Sequence, residues 1–547
     1  MPNLSQLKRE RMLAFLQKIK DEHRDDDDML IALGEIESEL TSKKYGLVWE
    51  QHEEAVDVMM RDNIPVFTEV PEREITAAPG QGYNFILEGD NLHSLRLLEK
   101  THKGKIDVIY IDPPYNLGGD FVYNDDYVGR EDGFRHSKWL SFMDARLRIA
   151  YQLLSEKGAI FISINDSEYA TLKLLCDDIF SELNYQITFI WNSRQRADSR
   201  NVNMLSTDHE YILVYSKTDQ FSVIGREKDT SKYSNPDNDP RGPWASIDLS
   251  GLADATRRPN LHYDIIDPAT GNSYPPNPNR GWSKSRETVA RMISENRILW
   301  PSSPKGRPRE KKFLKDLLSD KTGFSSMLDS EVVGFTTDGT RALISVLGNR
   351  AFSFPKSVKL LKTLIGQFPS KDCLVLDFFA GSGSTAQAVM ELNSDGGSRR
   401  FILCTNNEND ICDKVTYPRV RTIITGIRPD GSKYSEGIPG NLKYFRTDFV
   451  SKDDEYLSDA LLEHIREMIQ LEHGVKIDGS QYLMVMSDEE ADELQAHWGE
   501  YEGVKAIYAS KEVLFTTEQN AIFAGVEIHT IPDYYFNFEL KEVGETW

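Results

Sequence analysis

At 547 residues the chain is too long for one ordinary domain, and two to four are expected. With 39% hydrophobic and 28% charged residues it has the composition of a soluble globular protein; no run approaches the ~20 apolar residues of a membrane span, and the amphipathic N-terminus lacks the apolar segment of a signal peptide. The net charge of −23 argues against a wholly basic nucleic-acid binder, and Cys176, Cys373, Cys404 and Cys412 form no CxxC pair, so they read as buried thiols of a reducing cytoplasm and not as a disulfide frame or a metal site.

Residues 1–80 read as a helical N-terminal region and linker. Leu4–Lys20 is amphipathic, a second helix covers about Met29–Leu40 and a third Trp49–Arg61, after which Pro65, Pro71 and Pro79-Gly80 mark an extended linker. No chemistry is visible there. A short strand, Asn84–Glu88, then ends in Gly89-Asp90-Asn91. Leu92, Leu95 and Leu98 repeat at helical spacing, and the β-branched run Ile106–Ile111 follows. Strand, helix, strand in this order predicts parallel neighbours with a right-handed crossover. Asp90 and Asp112 are thereby expected at one sheet edge, Asp90 either as a helix cap or as a ligand.

The run stops at Asp112-Pro113-Pro114-Tyr115-Asn116. Two prolines stiffen the exit from the strand. They leave one carboxylate, carbonyls with no neighbouring proline N–H, and one aromatic ring just past the carboxyl end of a strand, where open α/β sheets put ligands. The set suits the exocyclic amine of a nucleobase: Asp112 and the Pro113 carbonyl each accept an N–H, and Tyr115 stacks on the ring. A plain strand followed by a rigid turn is the alternative.

A polar and aromatic loop, Phe121–Tyr127, precedes a helix over Ser137–Leu154. The strand Gly158–Ile164, a helix Glu168–Phe180 and a strand Gln186–Trp191 continue the alternation, which predicts a doubly wound, mostly parallel α/β sheet. Residues 81–191 form its first half. From 192 to 349 the pattern breaks into a segment rich in Pro, Gly, Asn and Arg, with Trp244, Tyr263, Trp282 and Trp300 interleaved. From Trp191 to Arg350 there are 24 Lys and Arg against 20 Asp and Glu, whereas the rest of the chain carries a balance of −27. This middle segment is the candidate phosphate-facing insertion, with Arg and Asn suited to guanine and adenine edges.

The second half, 350–450, opens with Phe354-Pro355-Lys356-Ser357 and a helix Val358–Gln367. Cys373–Thr385 then reads as strand, glycine turn and helix, with Asp377-Phe378-Phe379-Ala380-Gly381-Ser382-Gly383 at the turn. Glycines there let backbone amides approach a ligand at a helix N-terminus. No Lys-Ser/Thr follows, so this is not a P-loop. Glu408, past the strand Arg400–Thr405, lies about where nucleotide-binding β-α-β units carry a ribose-binding acid. Residues 451–547 form an acidic α/β subdomain with strands near Tyr482–Met486, Val504–Tyr508 and Val526–Thr530, suited to capping the fold or docking a partner.

Together, Asp112-Pro113-Pro114-Tyr115 and Asp377–Gly383 resemble the catalytic signature and the F-x-G-x-G cofactor motif of amino-group DNA methyltransferases that use S-adenosylmethionine. Catalytic motif first, cofactor motif last and a variable segment between is the permuted order of the β class, and Phe354-Pro355-Lys356 resembles its cofactor-flanking motif. Tyr115-Asn116, the Tyr123-Asn124-Asp125 loop and Gly437–Phe445 resemble the modification subunits of type III restriction–modification systems. The resemblance spans about residues 46–450.

It implies a doubly wound methyltransferase fold with residues 192–349 as the target recognition domain. It implies methyl transfer to N6 of an adenine flipped out of double-stranded DNA, with N4 of cytosine as the lesser alternative. Asp112, Pro113, Pro114 and Tyr115 would be catalytic. Asp90, Asn91, Lys356, Asp377, Phe379, Ala380, Gly381, Ser382, Gly383, Thr385 and Glu408 would bind the cofactor, and no metal is required. A homodimer and a helicase–nuclease restriction subunit are the implied partners, in the cytoplasm. The rivals are a solitary methyltransferase and, more distantly, a catalytically silent DNA-binding subunit.

Overall fold

The computed structural model describes residues 4–24, 26–41, 48–116, 135–197, 204–303, 305–477 and 479–544. The Phe121–Tyr127 loop, with Tyr123-Asn124-Asp125, lies outside them. The chain divides into two compact units, residues 1–223 with 325–547, and residues 224–324.

The first unit is built on one large sheet. Its strands run in the order Asn63–Glu69, Asn441–Ser451, Tyr83–Glu88, Arg400–Thr405, Leu374–Asp377, Ile106–Ile111, Leu154–Ile164, His209–Ser216, Tyr185–Asn192 and Met327–Leu328. From Asn441–Ser451 through Leu154–Ile164 each strand is parallel to the next. The central strands are buried on both faces: Ile106, Val108, Ile109, Tyr110 and Ile111 are all within the core, which is why they read as continuous apolar runs and not as alternating ones. Leu92, Leu95 and Leu98 of the helix Asn91–His102 are fully buried, as their spacing predicts. The mostly parallel α/β sheet expected from the sequence is therefore the observed fold.

Parallel pairing gathers the C-terminal ends of Tyr83–Glu88, Arg400–Thr405, Leu374–Asp377 and Ile106–Ile111 at one edge. His209–Ser216 runs antiparallel beside Leu154–Ile164, with Tyr211 opposite Ile164, so its N-terminal start reaches that same edge.

Two predicted boundaries move. The proposed linker over Pro65 contains the strand Asn63–Glu69, antiparallel to Asn441–Ser451 at the border of the sheet. A proline is tolerated there because an edge strand leaves part of its N–H row unused. The inserted unit spans 224–324, narrower than 192–349. His209–Ser216 pairs in the main sheet, and Thr336–Leu347 belongs to the first unit. Its polar and arginine-rich flanks hide this strand in composition, although Tyr211–Tyr215 is itself an apolar run.

The 224–324 unit has its own three-stranded antiparallel sheet, ordered Ile298–Leu299, Arg309–Phe313, Trp244–Asp248. Trp282 and Tyr263 are buried in its apolar core with Leu249, Val289 and Met292. These two aromatics hold the unit together and are not presented to a ligand. Lys311 is buried between Asp237 and Asp239, each 2.5 Å from its ammonium.

The C-terminal residues form a parallel three-stranded sheet of Tyr482–Val485, Ala506–Ser510 and Glu527–Ile531. These lie within three residues of the strands read from the sequence. All four cysteines are free and buried. Among the described residues no helix is long and apolar enough to cross a membrane.

Candidate active site

Asp112 leaves the strand Ile106–Ile111 half-buried at the gathered edge. The adjacent strand Leu374–Asp377 pairs with it in parallel through Val375 and Val108, and Leu376 and Ile109. The prolyl motif and the glycine turn, far apart in sequence, therefore leave neighbouring strands at the same end.

Lys356 lies 2.9 Å from Asp112 Oδ1, and its ammonium also donates to Glu210 Oε2 at 2.8 Å and to the Tyr115 hydroxyl at 2.7 Å. The Tyr115 hydroxyl sits 2.8 Å from Asp112 Oδ1 and 3.0 Å from Glu210 Oε2. A phenol has one proton, so it donates to one of these acceptors at a time. The ammonium also stands 5.2 Å from the ring centre of Tyr115 and 5.5 Å from that of Trp191. Both contacts to Asp112 fall on Oδ1.

Burial raises the Asp112 carboxyl above its ordinary value; Lys356 opposes this and Glu210 adds to it. For Lys356 burial acts to lower the ammonium, but Asp112 and Glu210 outweigh it and raise it well above the usual lysine value. Lys356 is thus a fixed cation between two carboxylates. Burial, then the same two acids, holds the Tyr115 phenol protonated far beyond its usual range.

The turn itself is braced from behind. Trp139 Nε1 donates to the Pro114 carbonyl at 2.7 Å. Asn116, at φ 55°, donates to Glu168 Oε1 at 2.5 Å. Among the described residues the Pro113 carbonyl accepts no hydrogen bond, so it is available as the second acceptor expected of it.

The glycine turn is held differently. Gly381 and Gly383 have φ of 48° and 71°, and Gly383 caps the helix Ser384–Leu392. Side chains disfavour this left-handed region, so glycine suits both positions. Asp377 Oδ1 accepts the Phe379 N–H at 3.0 Å and Oδ2 accepts the Thr385 hydroxyl. Asp377 therefore ties its own turn, and burial pushes its carboxyl up to about 7. Arg419 is fully buried behind the turn and donates to Ser382 O at 3.0 Å, Ser384 Oγ at 2.9 Å and Gln387 Oε1 at 2.8 Å. Burial lowers its guanidinium to about 10. The Thr416 hydroxyl donates to the Gly381 carbonyl at 2.5 Å. Phe379 packs beside Phe142, with ring centres 5.7 Å apart, and Ala380 is buried at the turn.

The remaining predicted residues divide. Asp90 caps the helix Asn91–His102, its Oδ1 accepting from Leu92 N at 2.8 Å, and it lies 3.4 Å from Arg146. Asn91 donates to the Phe378 carbonyl at 2.8 Å and accepts from Arg146 at 2.5 Å. Arg146, fully buried, also pairs with both oxygens of Glu54 at 2.6 and 3.0 Å. Asp90 thus caps its helix, and Asn91 buttresses the glycine strand. Lys356, expected at the cofactor, is seated against Asp112. Glu408 is half-buried just beyond Arg400–Thr405 at the same edge, and nearby Asn406 Oδ1 is buried with no hydrogen-bond partner among the described residues. Glu210, Arg146 and Arg419 were not anticipated. For Glu210 a signal existed: an acid at the start of the apolar run Tyr211–Tyr215 mirrors Asp112 at the end of Ile106–Ile111.

Among curated proteins the chain is 34% identical over 384 residues to the Mod subunit of the type III restriction–modification enzyme StyLTI of Salmonella typhimurium, an alignment covering 64% of this chain and 57% of that one. It is 35% identical over 343 residues to the type II methyltransferase M.KpnI of Klebsiella pneumoniae, covering 58% and 79%. It is 30% identical over 424 residues to the EcoP15I Mod subunit of Escherichia coli, covering 65% and 64%. The chain thus spans less than two thirds of the length of the two Mod subunits. The DNA methylase family is matched over residues 106–415, from the strand leading into Asp112 to beyond Glu408. That is more than half of the chain, and the chain belongs to the DNA methylase family.

Proposed function

We propose that this chain transfers a methyl group from S-adenosylmethionine to the exocyclic amine of a base in DNA, N6 of adenine in the first place. The observation that carries this is the convergence of Asp112-Pro113-Pro114-Tyr115 and the Phe379–Gly383 turn on neighbouring parallel strands at one edge. The similarity to Mod subunits of type III enzymes and to a type II methyltransferase supports it.

The residues fit the cofactor. Left-handed Gly381 and Gly383 leave the turn's backbone open to close approach. The unpartnered Asn406 Oδ1 and the nearby Glu408 supply acceptors for amino or hydroxyl groups of a nucleoside. Phe379, Ala380, Gly381, Ser382 and Gly383 would hold it, with Glu408 at the ribose; Asp377, Thr385 and Asn91 act by shaping that turn. When bound, the cofactor supplies an electrophilic methyl group on a sulfonium.

The chain's own residues prepare the amine. The target base is unstacked at a cost of a few kcal/mol, and the Tyr115 ring offsets part of this, since base–aromatic stacks are worth ~1–3 kcal/mol. Asp112 and the Pro113 carbonyl accept the two N–H groups. This favours a pyramidal nitrogen whose lone pair attacks the methyl carbon, and it opposes the positive charge that develops. The amine nitrogen would then lose one proton to the surroundings, the electrons of the broken bond staying with the sulfonium sulfur as a neutral thioether. Arg257, Arg258, Lys305 and Arg307, exposed on the 224–324 unit, are the groups we assign to phosphate and base contacts. On the same support we read the chain as a type III modification subunit, a cytoplasmic homodimer that engages a restriction subunit.

The test is sequencing for methylated bases in DNA from cells expressing either the wild-type chain or Asp112→Ala. N6-methyladenine at a recurring sequence, in the wild type alone, is expected. N4-methylcytosine would move the target to cytosine, and no methylated base with a folded wild-type chain would overturn the reading.

A further inference from the structure

Glu210 lies outside every motif that led to the site, yet it completes the cluster around Asp112. It starts a strand that runs against the direction of its neighbours, so it meets Asp112 across the sheet edge from a segment 95 residues from Tyr115. Its Oε2 takes the Lys356 ammonium at 2.8 Å and stands 3.0 Å from the Tyr115 hydroxyl. Those two groups are also the ones on Asp112 Oδ1.

We infer that Glu210 is a positioning residue for amine methylation: it holds Lys356 and the Tyr115 hydroxyl against one oxygen of Asp112 and leaves the other to accept from the amine. This rests on the function proposed above. It also sets the charge of the cluster. Two carboxylates and one ammonium leave one negative charge in excess. The amine nitrogen becomes positive as the carbon–nitrogen bond forms, and a net negative cluster opposes that charge more strongly than a neutral one. Without Glu210, Lys356 would neutralise Asp112 outright and compete with the amine for it. Without Lys356, two acids would face one another and Asp112 would protonate more readily. Glu210 and Lys356 thus act as an opposed pair on one carboxyl.

The charged and titratable groups acting on Asp112 are Lys356, Glu210, Tyr115, Tyr110 and Asp377. Of these, Glu210 and Lys356 make opposite predictions. The full chain, labelled at the aspartate carboxyl carbon with ¹³C, is titrated by NMR, with the Asp112 signal assigned by its loss in Asp112→Asn. Glu210→Gln is expected to move the Asp112 midpoint down, and Lys356→Gln to move it up, each by about one pH unit. The acid limb of methyl transfer at saturating cofactor should follow in the same directions. Glu210→Gln should slow transfer on the order of 10–100-fold without changing cofactor affinity. Glu210→Asp, which keeps the charge, should restore the wild-type midpoint.

Shifts in the same direction, or none, in folded variants would overturn the inference. If Glu210→Gln fails to fold, Glu210→Ala is titrated in its place, with the same downward shift expected. If the wild type methylates nothing, the functional reading fails, while the carboxyl titration still judges the opposed pair.

Discussion

Two aspartates end neighbouring strands of this sheet and have been put to different uses. Asp112 meets an ammonium from another segment, Lys356 ahead of a helix, and a phenol from its own turn, Tyr115, with Glu210 behind both. Asp377 is tied to its own turn, accepting the Phe379 N–H and the Thr385 hydroxyl. One carboxyl is held by long-range charges and keeps an oxygen clear of them. The other is consumed locally and is pushed toward neutrality at about 7. A side that must stabilise a developing charge needs a carboxylate set by its surroundings; a side that must present a shape needs a backbone that does not move.

If that division is right, changes at the glycine turn should affect cofactor binding and changes at the prolyl turn the rate of transfer. Gly383→Val forces a β-branched residue to φ 71°. It should weaken S-adenosylmethionine binding on the order of 100-fold in calorimetry. Arg419→Met leaves acceptors on Ser382, Ser384 and Gln387 unpaired in the core. A loss of roughly 3 kcal/mol in urea unfolding and about a tenfold weaker cofactor affinity are expected. Trp139→Phe removes the donor to the Pro114 carbonyl. Transfer at saturating cofactor should slow by up to about tenfold, with affinity unchanged.

A further effect concerns pH. The Asp377 carboxyl rises from an ordinary 3.8 to about 7 in the fold, so the native state binds more protons than the unfolded one between these values. Stability contributed by this group is therefore full below about 4, falls as pH rises toward 7 and is lost above it. In Asp377→Asn that slope should disappear, which urea midpoints at pH 5 and pH 7.5 would reveal.

Much of this site is legible in the sequence, and the reason is local. Residues 108–111 and 374–376 are largely buried and so appear as apolar runs, with Asp107 the polar residue inside the first strand, while prolines and glycines mark where each run ends. Parallel alternation then brings the two ends together without any knowledge of contacts. Arg146 and Arg419 are not legible in this way, and Glu210 is marked only by its place at the start of an apolar run. Each acts on residues distant in sequence, and an isolated acid or arginine on a strand or helix looks the same whether it faces water or the core. Lys356 shows the intermediate case: its motif is visible, but the side chain's partner is set by packing. Asp90 reads from the sequence as a cap or a ligand; the cap is observed, and the arginine beside it, Arg146, lies 56 residues away.

On this reading the two turns form one site with separable tasks. Its most direct test measures cofactor affinity and labelled-methyl incorporation into DNA side by side for the wild type, Asp112→Asn and Gly383→Val. Asp112→Asn is expected to bind S-adenosylmethionine as the wild type does yet to transfer methyl groups at least about 1,000-fold more slowly, while Gly383→Val binds it on the order of 100-fold more weakly. Wild-type transfer by Asp112→Asn, or loss of cofactor binding in that variant with its fold intact, would contradict it.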